Sequence, residues 1–238
     1  MNTFIFDLDG TLLPMPSQEA FLDTYFKAIS MKMIPHGLDP QFLMKTIWAG
    51  TRAMMDNDGT MTNEQRFWEV YCLVMGPDAR EQETIFEEFY RNEFVLAKST
   101  TFTHPHAKEC IRLLKEKGYQ IALATNPIFP RIATLTRMEW AGINPDDFAL
   151  ITTYENSSYS KPNLKYYEEI VTQLGKLPSD CIMIGNDVKE DMCAGILGMD
   201  TFLLTDCLIC TDETNYKHMK QGNFDDLLYF IQQLPVII

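Results

Sequence analysis

The chain has 238 residues and a mass of 27.5 kDa, enough for one or two domains whose core needs no disulfide or metal to fold. The formal net charge is −13, from 20 basic and 33 acidic residues, and such a surface repels nucleic acids and anionic membranes. We therefore expect no nucleic-acid and no membrane partner, whereas a small phosphorylated molecule would need only a local positive site.

The start of the chain and its cysteines both favour a cytoplasmic protein. Met1 is followed almost at once by the apolar residues 4–6, with no basic segment and no cleavable signal pattern. The six cysteines are scattered in a chain that needs no covalent cross-links, and we interpret them as reduced thiols. No apolar stretch approaches the ~20 residues that span a bilayer.

Short, almost continuously apolar segments alternate with helical patterns along the chain. This alternation is typical of an α/β fold in which helices cover both faces of a parallel sheet. The five predicted strands are residues 3–6, 120–124, 148–152, 181–184 and 201–204. Helices with apolar stripes are predicted to begin at 105, 130, 163 and 224, and glycines follow the first three of them.

About 110 residues separate the first two predicted strands, far more than one crossover connection requires. This stretch lacks a strand pattern and instead shows four apolar helical stripes. Their residues are Phe21, Leu22, Tyr25, Phe26 and Ile29; Phe42, Leu43 and Ile47; Phe67, Val70, Tyr71 and Val74; and Ile85, Phe86, Phe89 and Tyr90. We predict a helical insert over residues 15–98, with residues 1–14 and 99–238 forming the α/β core.

Polar side chains follow four predicted strands, at the edge where open α/β sheets carry their sites. Asp7 and Asp9 come directly after the first strand, and in an extended segment residues i and i+2 point to the same side. The other strand ends carry Thr125 and Asn126, then Lys161, and then a run with Asn186, Asp187 and Asp191. Each of these residues alone would be an ordinary surface residue, but their order along the chain argues against coincidence.

In this order the residues resemble the four motifs of the haloacid dehalogenase superfamily of hydrolases. Residues 7–12, Asp-Leu-Asp-Gly-Thr-Leu, resemble the first motif, and Thr125 and Lys161 resemble the second and third. Residues 185–187 with Asp191 resemble the fourth, and the helical insert resembles the cap of the subclass with an early cap. The resemblance implies a Rossmann-like three-layer core with a parallel five-stranded sheet and an inserted α-helical cap domain.

The resemblance also implies roles for these residues. Asp7 would attack phosphorus and form an aspartyl-phosphate, while Asp9 would protonate the leaving oxygen and later deprotonate water. Thr125, Asn126 and Lys161 would bind the phosphate. A carboxylate 4 Å from a phosphate dianion meets about 8 kcal/mol of repulsion at an effective dielectric of 20, so Lys161 and a Mg²⁺ ion are both needed.

The predicted Mg²⁺ ligands are Asp7, the carbonyl of Asp9 and one side chain of the fourth motif. Counting back from Asp191 gives Asn186 at the five-residue spacing and Asp187 at the four-residue spacing. A carboxylate is the better Mg²⁺ ligand, so the sequence favours Asp187 and keeps Asn186 as the alternative. Asp191 is expected to support the site without binding the metal.

The activity we expect is hydrolysis of a small phosphorylated metabolite by a monomer or homodimer. Asp9 favours phosphoryl transfer, because the dehalogenase branch of the superfamily lacks an acid/base aspartate two residues after its nucleophile. One alternative is a phosphonatase or another phosphoryl-transfer enzyme of the superfamily; a phosphonatase would need a cap lysine such as Lys27, Lys32 or Lys45. The other alternative is a regulatory module without catalysis.

Overall fold

A computed structural model of the protein describes residues 1–211 and 216–237. Within them, a parallel six-stranded sheet has the order β3-β2-β1-β4-β5-β6. The strands are β1 (Thr3–Phe6), β2 (Gln120–Leu123), β3 (Leu150–Ile151), β4 (Cys181–Gly185), β5 (Asp200–Leu204) and β6 (Gln221–Gly222).

The parallel α/β sheet is confirmed, but the predicted number of strands is one too low. The five predicted strands are present, each shifted by no more than two residues at either end. The sixth, β6, has only two residues and pairs in parallel with Leu203 and Leu204 of β5. Gln221 and Gly222 have no apolar pattern, because backbone pairing alone defines so short a strand.

Eight α-helices lie in the described residues. They are α1 (Gln18–Met33), α2 (Pro40–Met55), α3 (Asn63–Met75), α4 (Glu83–Arg91), α5 (Pro105–Glu116), α6 (Arg131–Trp140), α7 (Leu164–Leu174) and α8 (Phe224–Gln233). Short 3₁₀ segments lie at Ile34–His36, Pro77–Gln82, Glu93–Thr100, Pro145–Asp147, Pro178–Asp180 and Met192–Leu197. None of the described helices is both long and apolar enough to cross a lipid bilayer.

The three layers follow from the alternation of side chains along β1. Phe4 and Phe6 point to one face of the sheet and belong to the cluster that includes buried residues of α5 and α8. Ile5, between them, points to the other face and packs with Tyr166 and Ile170 of α7. Both faces of the sheet are thus covered by helices, as the continuous apolar strands predict.

Helices α1 to α4 lie between β1 and β2, in the stretch predicted to be helical. Three of them begin at side-chain caps: Ser17 accepts from the Ala20 N–H and Asp39 from the Phe42 N–H, while Thr62 forms a capping box with Gln65. We refer to residues 15–98 as the cap segment.

Strand order determines where the polar strand ends meet. β1 lies between β2 and β4, with Phe6 opposite Leu123 on one side and Ile184 on the other. The chain continues outward from β2 to β3 on one side and from β4 to β5 on the other. This reversal at β1 is the place where open α/β sheets form a crevice at their carboxyl edge.

Candidate active site

The carboxyl ends of β1, β2 and β4 open into a cavity of about 220 Å³, which we call the catalytic cavity. All eight residues predicted from the strand ends line it: Asp7, Asp9, Thr125, Asn126, Lys161, Asn186, Asp187 and Asp191. The cap segment supplies the opposite wall, with Met15, Gln18, Phe21, Leu22, Trp48, Thr51 and Met55. The fold therefore gathers side chains that are up to 184 positions apart in the chain around one space.

Lys161 lies between two carboxylates at the bottom of the cavity. Its Nζ donates to Oδ1 of Asp7 over 2.8 Å and to Oδ1 of Asp191 over 2.6 Å, and all three side chains are buried. Burial by itself would lower the pKa of Lys161, but the two carboxylates outweigh it and hold that pKa well above its ordinary value. Lys161 therefore carries a fixed positive charge beside Asp7.

Asp9 is paired with Arg137, a residue that the sequence analysis did not identify. The Arg137 guanidinium donates through Nη1 to Oδ2 of Asp9, and it lies over the Phe129 ring at 4.5 Å. Oδ1 of Asp9 is buried and accepts no hydrogen bond from the described residues. Burial raises the pKa of the Asp9 carboxyl, Arg137 opposes that rise, and the nearby Asp7 adds to it. Asp9 thus has a fixed orientation and one oxygen still available.

Thr125 and Asn126 extend from the end of β2 into the same space. The Thr125 carbonyl is held by the hydroxyls of Thr152 (2.9 Å) and Tyr166 (2.7 Å), which fixes the loop. The side-chain nitrogen of Asn126 donates to Glu190 over 3.2 Å, while its buried Oδ1 has no partner among the described residues. Both side chains are placed where the sequence predicts a phosphate-binding group.

The two candidates of the fourth motif have different surroundings. Asn186 accepts the Thr11 hydroxyl at 3.0 Å and donates to the Cys207 carbonyl at 2.7 Å. It also lies against Gly10, where a Cβ would come within 2.3 Å of its Nδ2. Oδ1 of Asp187 instead accepts the N–H groups of the next turn, at 2.7 and 2.8 Å. Asn186, not Asp187, is therefore the residue in contact with the segment that follows Asp9.

The charges around the cavity fit a divalent cation. Its lining, as far as the structure describes it, has five carboxylates (Asp7, Asp9, Asp187, Glu190 and Asp191) and one ammonium group, that of Lys161. Within residues 1–211 and 216–237, no three His, Cys, Asp or Glu side chains converge tightly enough to hold a metal alone. A Mg²⁺ site would therefore need carbonyl or amide oxygens too, and Mg²⁺ accepts such hard oxygen ligands.

The cap segment is hydrogen-bonded to the loop that carries Lys161. Asn63, at the start of α3, is fully buried, and its Nδ2 donates to the Pro127 carbonyl (3.0 Å) and to the Ser160 hydroxyl (3.1 Å). The Ser160 hydroxyl in turn donates to the Met54 carbonyl over 3.1 Å. Two residues of the cap segment thus hold the residue that precedes Lys161.

Three residues at or near the site were missed by the sequence analysis: Arg137, Glu190 and Asn63. Arg137 does leave a signal, because it is a charged residue on the buried face of α6, beside Thr134 and Met138. The other two look like ordinary turn and helix-start residues in the sequence. The cap lysines Lys27, Lys32 and Lys45 do not line the catalytic cavity.

Comparison with known proteins places these motifs in context. A sequence model of the haloacid dehalogenase-like hydrolases matches residues 1–197. A ribulose-1,5-bisphosphate 5-phosphatase of Halopiger xanaduensis is 26% identical over 207 residues, which cover 84% of this chain and 82% of the relative.

Two solved structures show the same fold. A phosphatase of the haloacid dehalogenase type from Thermococcus onnurineus superimposes over all of both chains, with a TM-score of 0.61 and 16% identity. A hydrolase of the same type from Bacillus subtilis, determined with bound magnesium, has a TM-score of 0.55 and 15% identity over 97% of this chain and 98% of its own.

Proposed function

Because the chain belongs to the haloacid dehalogenase-like hydrolases, we propose that it is a Mg²⁺-dependent phosphatase that hydrolyses a small phosphorylated metabolite through an aspartyl-phosphate. The observation that carries this proposal is the arrangement of Asp7, Asp9 and Lys161 around one cavity, with Lys161 2.8 Å from Asp7. The names of the curated relatives, which include phosphatases of sugar phosphates and of pyrophosphate, support the reaction class.

In the first half of the proposed reaction, Asp7 attacks phosphorus and the bond to the alcohol oxygen breaks. The fixed charge of Lys161 and donors from Thr125 and Asn126 offset the negative charge of the transferring group. Asp9, on the same side of the chain as Asp7, gives its proton to the departing alkoxide. The products of this step are a neutral alcohol and a phosphorylated Asp7.

In the second half, Asp9 takes a proton from water as that water attacks the phosphorus of the phosphorylated Asp7. The bond between phosphorus and Asp7 breaks, inorganic phosphate leaves, and both aspartates return to their starting states. Arg137 holds Asp9 in one orientation through both steps, because its guanidinium is itself buried and packed on Phe129. We regard Arg137 as a positioning residue.

The residues that would hold Mg²⁺ are Asp7, the carbonyl of Asp9 and Asn186. The contacts of Asn186 with Gly10 and Thr11 support it as the third ligand, in place of Asp187, which the sequence favours. When bound, the ion neutralises charge on the phosphoryl oxygens and so reduces their repulsion from Asp7.

We further propose that residues 15–98 act as a cap over residues 1–14 and 99–238, excluding water and selecting the substrate. Two hydrogen bonds support this arrangement: Asn63 donates to the Ser160 hydroxyl, and that hydroxyl donates to the Met54 carbonyl. The free thiols of Cys72, Cys110, Cys181, Cys193 and Cys207 support a cytoplasmic location.

The decisive experiment measures phosphate release from 4-nitrophenyl phosphate and from a panel of phosphate monoesters, with Mg²⁺ and with EDTA. We expect turnover that requires the metal and falls to background in Asp7→Asn. The exposed Asp23 gives a matched control, Asp23→Asn, which should retain wild-type turnover. Folded, metal-loaded wild type that releases no phosphate from any ester would overturn the proposal.

The same assay separates the two candidate metal ligands. Asn186→Ala should raise the Mg²⁺ concentration for half-maximal activity by about tenfold or more, because an oxygen ligand is lost. Asp187→Ala should raise it less. The reverse order would identify Asp187 as the ligand.

A further inference from the structure

A second cavity adjoins the catalytic cavity and is lined by the cap segment, by the loop after β2 and by Tyr154. Its volume is about 80 Å³, and we call it the apolar cavity. Five residues line both cavities: Leu22, Trp48, Thr51, Ile128 and Phe129. Because the two spaces share these walls, a group attached to a phosphate at Asp7 would extend toward the apolar cavity. The volume of the apolar cavity, about 80 Å³, is several times the ~10–15 Å³ that one water molecule requires.

The lining of the apolar cavity is uncharged throughout its described residues. It consists of Leu22, Tyr25, Phe26, Ile47, Trp48, Thr51, Phe67, Trp68, Phe86, Tyr90, Ile128, Phe129, Pro130 and Tyr154. Nine of these fourteen are aromatic, and none is Lys, Arg, His, Asp or Glu. Such a lining binds by burial of apolar surface and by ring stacking, and it offers no counter-charge to an anion.

The hydroxyl groups of this lining are mostly engaged with one another or with the backbone. Tyr25 and Tyr90 share a hydrogen bond of 2.9 Å, and the Thr51 hydroxyl donates to the Ile47 carbonyl over 2.9 Å. Burial raises the pKa of Tyr25 to about 12 and that of Tyr90 well above 10, so both stay neutral at physiological pH. A sugar with several hydroxyls would therefore exchange water for few new partners here.

The arginines near the apolar cavity are paired with carboxylates and do not line it. Arg80 lies over the Trp68 ring at 4.6 Å and pairs with Glu64 and Glu83. Arg137 lies over the Phe129 ring and pairs with Asp9. Arg52 is exposed and pairs with Asp56 at 2.7 Å, and Arg66 pairs with Asp58 and Glu69 at 3.2 and 2.7 Å. None of these arginines lines either cavity.

Beyond the apolar cavity, across the shared residues Trp68, Phe86, Tyr90, Pro130 and Tyr154, lies a surface pocket that carries acidic residues. They are Glu64, Glu83, Glu87 and Glu155, and the pocket's one cation among the described residues, Arg91, pairs with Glu87 at 3.7 Å. A second phosphate group would thus enter a cavity whose described lining has no cation, and it would approach a pocket with four glutamates and one arginine.

We infer that the substrate is a monophosphate ester of an uncharged, largely apolar alcohol, aromatic or aliphatic, whose apolar part is bound in the apolar cavity. Bisphosphates and sugar phosphates should be poor substrates, because the apolar cavity offers no counter-charge to a second anion and few hydrogen-bond partners to hydroxyl groups. This inference rests on the proposed phosphatase function and specifies its substrate class.

The test compares kcat/KM for esters of primary alcohols, so that the leaving oxygen is similar in each. The panel is hexyl phosphate, 2-phenylethyl phosphate, ribose 5-phosphate and the bisphosphate of 1,6-hexanediol. We expect the two apolar esters to exceed ribose 5-phosphate by about tenfold or more, the range that an apolar pocket achieves. Hexanediol bisphosphate differs from hexyl phosphate chiefly by its second phosphate and should be the poorest of the four.

A charge introduced at the shared wall should reverse the discrimination. Thr51→Lys places an ammonium group between the two cavities, and the ratio of kcat/KM for the bisphosphate to that for hexyl phosphate should rise by about tenfold. Thr172→Lys is the matched control: Thr172 is an exposed helical threonine with the same hydroxyl-to-backbone bond, and it lines neither cavity. If Thr51→Lys does not fold, Trp48→Arg at the half-exposed rim tests the same point.

The outcomes separate this inference from the function on which it rests. Turnover of ribose 5-phosphate or of the bisphosphate that equals or exceeds that of the apolar esters would overturn the substrate class and leave the phosphatase intact. An unchanged bisphosphate ratio in the variant that folds, Thr51→Lys or Trp48→Arg, would also overturn it. Silence on every ester, including 4-nitrophenyl phosphate, would overturn the phosphatase function itself.

Discussion

The catalytic cavity and the apolar cavity have opposite kinds of lining, one charged and the other uncharged. At the sheet edge, the buried Lys161 is paired with the carboxyl groups of Asp7 and Asp191 at 2.6–2.8 Å. In the cap segment the wall is aromatic, and its hydroxyls Tyr25 and Tyr90 are bonded to each other. Under the proposed function, the first region would bind the reacting phosphate, whereas the second would select among the groups attached to that phosphate. Substitutions at the sheet edge should therefore affect stability and rate together, and those at the cap wall should affect selectivity.

The largest effect is expected at Lys161. Lys161→Met would leave Asp7 and Asp191 facing each other in a buried site without a counter-charge, and removal of one partner from a buried ion pair costs about 3–5 kcal/mol. Urea unfolding should show this loss, and turnover should fall to background. Lys108→Met, at an exposed lysine of α5, serves as the control. A Lys161→Met protein with wild-type stability would contradict the conclusion that Lys161 stabilises the fold as the counter-charge of Asp7 and Asp191.

Arg137 gives the next largest effect, and a second substitution separates its two roles. Arg137→Met should lower the free energy of unfolding by about 2–3 kcal/mol, because Asp9 loses its partner. It should also lower kcat by about 100-fold with little change in KM, since Asp9 would be misplaced.

In the double variant Arg137→Met/Asp9→Asn the unpaired carboxylate is gone, so stability should partly return while kcat stays low. The kcat of the double variant stays low because Asp9 is itself the acid/base, so the test of positioning is the single variant: Arg137→Met with wild-type kcat would show that Arg137 does not act by positioning Asp9.

The smallest of the three effects is expected where the two regions meet, at Asn63. Asn63→Ala leaves the Ser160 hydroxyl and the Pro127 carbonyl short of a buried partner, at a cost of about 1–3 kcal/mol. Asn92→Ala, at an exposed asparagine that also donates to a backbone carbonyl, should stay within about 0.5 kcal/mol of wild type. Thermal unfolding of the two variants is the comparison, and equal shifts would show that the link before Lys161 adds no stability.

The sheet edge could be predicted from the sequence because its residues follow strands, and parallel strands bring their ends together. Asp7, Thr125, Lys161 and Asn186 were all located in this way. Arg137 could not be assigned to the site, because its partner Asp9 lies 128 positions away and no local pattern connects them.

The apolar cavity could not be predicted from the sequence either, but for a different reason from that given for Arg137. Tyr25, Phe26, Ile47 and Phe67 lie on the predicted apolar stripes, yet in the structure they line an open space. An apolar stripe shows which side of a helix avoids water, but not whether that side meets another helix or a cavity. Phe42, on the same stripe as Ile47, is instead 46% exposed.

Gly10 connects two motifs that are far apart in the chain. Its φ of +82° is one that side-chain-bearing residues rarely adopt, and the space where a methyl group would lie is taken by the amide of Asn186. Gly10 of the first motif and Asn186 of the fourth thus pack so closely that neither can be enlarged without moving the other. A larger residue at either position would push the loops after β1 and β4 apart. The distance between these loops, and with it the width of the catalytic cavity, therefore depends on the missing Cβ of Gly10.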